Sequence, residues 1–369
     1  MPTHWQRDLE RDREQLTRWL HSKLPQTTDL RVSELVAPQS SGFSNDTLLF
    51  ELSYAQDGRA HREELVLRIE PMGFAVFPEY DIGLQYRVME LLAPTDVPVP
   101  KMLWLEEEDR DLLGGAFYVM GRVHGRVPAD NPPYHQSGWL HELAPEERAQ
   151  IWWGGIESLA RIHRLDYRAL GLGFVARPEL GASGLDQQMA YYRDYFAWAS
   201  RGREQPIAEA AWEWLRKNQP RDEPDCLLWG DARIGNIIFD GTRPAAVVDW
   251  EMVTHGSPEA DLGWTIFLDR HHSEGIETPR LAGFPSYEES VARYESLSGH
   301  AVKNLHYYQV WTGFRFAVIM MRIAQQLVEY EIMDPETGYA FEKNNTVTRL
   351  VAKLLELPPP GEARSGFDA

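Results

Sequence analysis

The segment Trp229-Gly230-Asp231-Ala232-Arg233-Ile234-Gly235-Asn236 sets an aspartate five positions ahead of an asparagine. Thirteen residues beyond Asn236, the apolar run Ala245-Ala246-Val247-Val248 delivers a second aspartate, Asp249. Phosphoryl transfer asks for these residue types: a carboxylate that orients the attacking hydroxyl and accepts its proton, and oxygen ligands for a Mg²⁺ ion that bridges phosphates. Asp231 suits the first task as catalytic base, and Asn236 and Asp249 suit the second as metal ligands. Asp and Asn also favour turns, and Gly230 and Gly235 beside them fit that plainer account. Turn preference does not explain a second Asp closing an apolar strand, so the chemical reading is carried forward.

These loops need strands to present them and a fold large enough for a cleft. At 369 residues the chain exceeds the usual size of one hydrophobic core, so two lobes with a cleft are expected. Trp5, Leu9, Leu16, Trp19 and Leu20 recur among charges at helical spacing and predict an amphipathic leading helix. Residues 48–52 and 64–69 flank the turn Gln56-Asp57-Gly58-Arg59 as a hairpin, after a small-residue loop at 40–45. A helix over 80–92, ended by Val97-Pro98-Val99-Pro100, and apolar segments at 102–105 and 116–123 complete a small mixed lobe. Helical patterns then cover 145–165, 185–200, 206–218, 258–269, 286–298, 306–330 and 339–357, with short strands around Ile237 and Val247. The expected class is α+β: a leading helix over 1–30, a small lobe over 31–124, a mainly helical lobe over 125–357 and a tail over 358–369.

Composition narrows the partners. Lys and Arg number 37 against 56 Asp and Glu, a net charge of −19 that argues against nucleic acid or an anionic membrane as the main partner. Cys226 is the only cysteine, so no intrachain disulfide is possible and a reducing cytoplasm is expected. It precedes Leu227-Leu228-Trp229 and reads as core. No stretch resembles a signal peptide, and no run approaches the ~18 apolar residues of a membrane span.

The quoted loop, Val248-Asp249-Trp250 and Gly256-Ser257-Pro258-Glu259-Ala260-Asp261-Leu262 resemble the aminoglycoside phosphotransferase family. Val66-Leu67-Arg68, Phe117-Tyr118-Val119-Met120 and Trp229-Gly230-Asp231 resemble its branch related to the kinase domains fused to some acyl-CoA dehydrogenases. The similarity runs from about Val36 to Tyr330 and implies a protein-kinase-like fold with ATP between the lobes. It implies that Gly42, Ser44 and Asn45 arch over the phosphates, that Arg68 stands where kinases place a phosphate-pairing Lys, and that Gly121, Arg122 and Val123 offer backbone groups to adenine. It also implies that Asp261 supports the catalytic loop from a following helix, and that Arg233 touches the γ-phosphate or forms a salt bridge at the loop's edge. Gln85 departs from the family's helix Glu, leaving open whether Gln85 or a nearby acid (Glu79, Asp81 or Glu90) pairs with Arg68. Trp229 replaces the His common before Gly-Asp.

Other signals carry less. Gly171-Leu172-Gly173-Phe174-Val175-Ala176 matches a dinucleotide fingerprint but follows a helical pattern rather than a strand. No Walker A or His-Glu-x-x-His motif occurs, His271-His272 reads as a solvated pair, and His163 as a packing or hydrogen-bonding residue. Most tryptophans read as core, while Trp250 and Glu251 are candidates for the acceptor side. The function expected is ATP- and Mg²⁺-dependent transfer of a phosphoryl group to a hydroxyl of a small molecule, either aminoglycoside-like or hydroxyacyl-CoA-like. The alternative is a catalytically silent nucleotide-binding or scaffold protein of the same fold. The acceptor and the oligomeric state stay open.

Overall fold

The computed structural model describes residues 7–38 and 45–362. They form two compact units. The first takes in the chain up to Ala75 with Glu79–Pro94 and Val99–Val123; the second takes in Val76–Pro78, Thr95–Pro98 and the chain from His124.

The first unit contains α1 (Leu9–Lys23), β1 (Thr28–Val32), β2 (Asp46–Gln56), β3 (Arg59–Ile69), α2 (Ile82–Leu92), β4 (Met102–Glu106) and β5 (Phe117–Gly121). Its antiparallel sheet has the order β1-β2-β3-β5-β4. Asp57 and Gly58, with φ of 51° and 72°, close the β2–β3 hairpin in the left-handed conformation that matches strand twist. Register then pairs Leu48 with Leu67 and Phe50 with Leu65. With Ile69, Phe117 and Val119 they form a core against Leu16, Trp19 and Leu20 of α1. Strand β1 leaves little hydrophobic signature in the sequence, because only Leu30 and Val32 of its five residues turn inward. Helix α2 begins at Ile82 because the Asp81 side chain caps it, accepting from Leu84 N.

The second unit holds α3 (Trp139–Glu142), α4 (Pro145–His163), α5 (Gly184–Ser200), α6 (Pro206–Lys217), β6 (Cys226–Leu228), β7 (Ile237–Asp240), β8 (Arg243–Val247), β9 (Thr254–Gly256), α7 (Glu259–His272), α8 (Tyr287–Ser298), α9 (Leu305–Glu329), α10 (Pro335–Lys343) and α11 (Thr346–Leu354). Helix α9 is its spine: Val310, Trp311, Phe314, Val318 and Met321 are fully buried, against α5, α6, α7, α10 and α11. The single helix expected over 339–357 is two, because the Asn345 side chain accepts from Val347 N and Thr348 N and starts α11 afresh. The β6–β9 pair, three residues per strand, is too short to show a periodicity in sequence.

Candidate active site

Two small ladders assemble the site within the helical unit. Strands β7 and β8 pair Ile237 with Val247, and Val248 N donates to Asn236 O at 3.0 Å. Asn236, just before β7, and Asp249, just after β8, therefore sit at the same end of one hairpin. Strands β6 and β9 pair Leu228 with Thr254, which draws the loop carrying Asp231 alongside. Trp229 fastens the two pieces, its indole Nε1 donating to Val248 O at 2.9 Å. Asp249 adopts φ +61°, a left-handed conformation that Asp tolerates but that typically costs about 1–3 kcal/mol and concentrates at functional sites.

Three donors converge on the Asp231 carboxylate. Trp264 Nε1 donates to Oδ1 at 2.7 Å, Arg233 Nε donates to both oxygens at 3.2 and 3.1 Å, and Asn236 Nδ2 donates to Oδ2 at 2.6 Å. Asn236 Nδ2 also donates to Asp231 O at 3.0 Å, so its own Oδ1 points away from Asp231 and is the oxygen left to take a cation. Mg²⁺ is usually held by one or two protein oxygens, with waters and phosphate completing its shell. One amide oxygen and one carboxylate fit that demand. No group of three or more His, Cys, Asp or Glu that could hold a metal occurs among the described residues, so an all-protein cage is not what is offered.

Beneath the loop, the fully buried Asp261 accepts from Trp229 N at 2.7 Å and Gly230 N at 3.0 Å. His163 Nε2 lies 3.1 Å from the same carboxylate, and its Nδ1 meets the Tyr294 hydroxyl at 2.7 Å. The loop's backbone donors, which turn geometry would otherwise orphan inside the unit, are thus satisfied by one carboxylate. Gly230 has φ +93°, and a Cβ there would stand 2.0 Å from Met252 O. Gly230→Ala is therefore expected to cost about 2 kcal/mol or more, of which the left-handed strain supplies about 1–2 and the contact with Met252 O the rest. A melting temperature lowered by about 4 °C or more is the corresponding readout; an unchanged one would show that the loop is not held as described.

Arg233 is engaged on both sides by carboxylates, Asp231 and Asp130. Burial alone would lower its pKa, yet the charges of Asp130 and Asp231 hold it raised. Burial would likewise raise Asp130, and Arg233 and His272 hold it below the usual carboxylate range. His271-His272 is not a solvated pair: His272 is buried, 3.7 Å from Asp130, and His271 Nδ1 meets Thr346 Oγ1 at 2.9 Å. Burial depresses both imidazoles, His271 to about 3. Trp250 does not line an acceptor pocket, since it is fully buried with Nε1 donating to Val247 O at 3.1 Å. Asp130 and Trp264 belong to the site without having been singled out for it. Asp130 stands 103 positions from Arg233 in a loop with no motif, and Trp264 reads in sequence as one core aromatic among many.

In the first unit, Arg68 Nη1 donates to Thr47 Oγ1 at 2.9 Å across the β2–β3 ladder. Gln85 is buried on α2, and its Oε1 has no hydrogen-bond partner, so this amide does not accept from Arg68. Gly121 N donates to Lys101 O and Arg122 N to Glu64 O, which commits two of the three backbone donors expected to meet adenine and leaves Val123 N. Asn45 is buried at the start of β2. Gly42 and Ser44 lie outside the described residues.

A family model described as "Phosphotransferase enzyme family" matches residues 35–296, and the chain belongs to that family. Acyl-CoA dehydrogenase family member 11 of Gallus gallus is 30% identical over 94% of this chain and 43% of its own length. A probable acyl-CoA dehydrogenase of Arabidopsis thaliana, IBR3, is 31% identical over 75% of this chain and 34% of its own. The chain spans less than half the length of these curated relatives. Among solved structures, a Ralstonia eutropha protein assigned as an aminoglycoside phosphotransferase aligns with a TM-score of 0.67 at 26% identity, covering 93% of this chain and 98% of that one. A thermostable mutant of aminoglycoside phosphotransferase APH(4)-Ia, in ternary complex with ADP and hygromycin B, aligns with a TM-score of 0.56 at 17% identity over 92% of this chain and 98% of that one, a likeness of fold alone. The class is therefore α+β and protein-kinase-like. No helix among the described residues is long and apolar enough to cross a membrane.

Proposed function

We propose that this chain is an ATP- and Mg²⁺-dependent phosphotransferase acting on a hydroxyl of a small molecule. The observation that carries the reading is the convergence of Asp231, Asn236 and Asp249 through the Val248–Asn236 backbone bridge. The acceptor hydroxyl oxygen forms a bond to the γ-phosphorus as the bond to the bridging oxygen of ADP breaks, and the hydroxyl proton passes to an Asp231 carboxylate oxygen. Asn236 and Asp249 would hold Mg²⁺, which when bound would supply positive charge against the phosphates. Catalysis of this kind is chiefly positioning and electrostatic stabilisation. The donors around Asp231 fix its carboxylate in one orientation ahead of substrate.

Relatives whose names carry aminoglycoside phosphotransferase or acyl-CoA dehydrogenase support two acceptor classes, an aminoglycoside-like and a hydroxyacyl-CoA-like molecule. The single cysteine and the net charge of −19 support a cytoplasmic location and an acceptor other than nucleic acid. The unpaired Gln85 amide favours a second reading, a nucleotide-binding protein without turnover. Hydrolysis of ATP that requires Mg²⁺ separates the two.

Arg68→Ala is expected to weaken ATP binding by about 10-fold or more, the scale of a charge-assisted contact, with Arg68→Lys recovering part by restoring charge without the fork. Isothermal titration with ATP·Mg²⁺ checks this. Wild-type affinity in Arg68→Ala would remove Arg68 from the nucleotide site.

A further inference from the structure

Arg233 divides its nitrogens between two carboxylates. A guanidinium and a carboxylate pair best through two parallel N–H groups on two oxygens. Here Nη1 donates to Asp130 Oδ2, and Nε alone reaches Asp231, 3.2 and 3.1 Å from its two oxygens. Both of those distances lie at the long end of the hydrogen-bond range. The stronger pairing with Asp231 is therefore within reach of the same side chain and is not made.

Two features of the fold hold the division in place. Arg126 and Phe239 of β7 exchange backbone hydrogen bonds of 2.9 Å in both directions, so the segment that carries Asp130 runs off the hairpin that follows Asn236. Gly235 supplies the space. It sits in a right-handed 3₁₀ turn, a conformation that does not ask for glycine. A Cβ there would nevertheless stand 2.4 Å from Arg233 Nη1 and 3.0 Å from Asp130 Oδ1.

A count of donors gives the division a purpose. A carboxylate accepts about four hydrogen bonds. Trp264 Nε1, Asn236 Nδ2 and Arg233 Nε already bring three N–H groups to Asp231, and an attacking hydroxyl needs the remaining place. A second Arg233 nitrogen would fill it. Resting on the phosphotransferase reading, we propose that Asp130 is a positioning residue: by holding Nη1 of Arg233 it keeps the guanidinium from closing on both oxygens of Asp231, and so leaves the base a lone pair for the hydroxyl.

The test starts from Asp130→Asn, which keeps the shape of the side chain and withdraws the charge that holds Nη1. In a crystal structure of that variant, Arg233 is expected to place two nitrogens on Asp231, an observation that needs no turnover. Mg²⁺-dependent ADP release with water as the only acceptor is expected to fall about 10–100-fold, the scale of a small misplacement in an active site. ATP·Mg²⁺ affinity, measured by isothermal titration, is expected to change far less, and Asp130→Glu to recover part of the rate. In an Arg233→Gln background, Asp130→Asn is expected to cost nothing further, because its effect runs through Arg233; a general loosening of the loop would cost the same in either background. Asp130→Ser also removes the charge and gives the same comparison if the Asn variant does not fold. Arg233 left on its present contacts in the variant structure, an unchanged rate, or an undiminished loss in the Arg233→Gln background each overturns the proposal. If the parent protein releases no Mg²⁺-dependent ADP, the phosphotransferase reading fails, and the variant structure alone then decides whether Asp130 directs Arg233.

Discussion

Asp231→Asn is expected to lower turnover by about 10²–10⁴-fold, the usual share of a positioned acid–base group, with a far smaller change in ATP·Mg²⁺ affinity. The two effects are coupled through Asn236. Its Nδ2 donates to Asp231 Oδ2 at 2.6 Å, and an amide at position 231 that keeps its oxygen toward Trp264 and Arg233 sets donor against donor at Asn236. Relaxing that clash turns Asn236 and perturbs the oxygen assigned to Mg²⁺, so a several-fold loss of affinity is part of the expectation. The informative quantity is the ratio: turnover must fall at least about tenfold further than affinity. Titration with ATP·Mg²⁺ beside a coupled ADP-release assay measures both. Parallel losses would make Asp231 a structural residue, and unchanged turnover would leave the site without its base.

Asp249→Ala carries the second large effect. If Asp249 is the proposed Mg²⁺ ligand, its removal withdraws several kcal/mol of stabilisation, a loss of about 10³-fold or more in Mg²⁺-dependent turnover. Asp249 also occupies φ +61°, which Asn tolerates as Asp does and Ala does less well. Asp249→Asn therefore separates ligand from backbone: it is expected to melt like the parent protein while losing most of the turnover. Thermal unfolding and an ADP-release assay across Mg²⁺ concentrations check the pair. If Asp249→Asn turned over normally at low Mg²⁺, Asp249 would not be a ligand.

The convergence of Asp231, Asn236 and Asp249 was legible in the sequence because these residues are spaced by local structure, a tight loop and a two-strand hairpin whose register follows from adjacent residues. Most helices were legible for the same reason, since an apolar stripe is a local property. The partners that hold the loop around Asp231 were not. Asp130 reaches Arg233 across 103 positions and Arg315 reaches Gly230 across 85, and no periodicity encodes such meetings. Arg233, for which the family resemblance left a phosphate contact or a salt bridge at the loop's edge, is clamped between two carboxylates. Trp229, a departure from the familiar histidine, is instead a fastener, its indole on Val248 O and its amide on Asp261. The helix break at Asn344-Asn345 was missed because a cap acts through one side chain while the surrounding pattern stays helical.

The most direct measurement is phosphorus NMR of the protein with ATP, Mg²⁺ and a panel of hydroxyacyl-CoAs, amino alcohols and aminoglycosides. A phosphomonoester signal that grows as γ-phosphate is lost, that needs Mg²⁺ and that disappears in Asp249→Asn is the predicted result. ATP that binds tightly yet yields no phosphomonoester and no Mg²⁺-dependent ADP with any acceptor would contradict it and leave a silent nucleotide-binding protein.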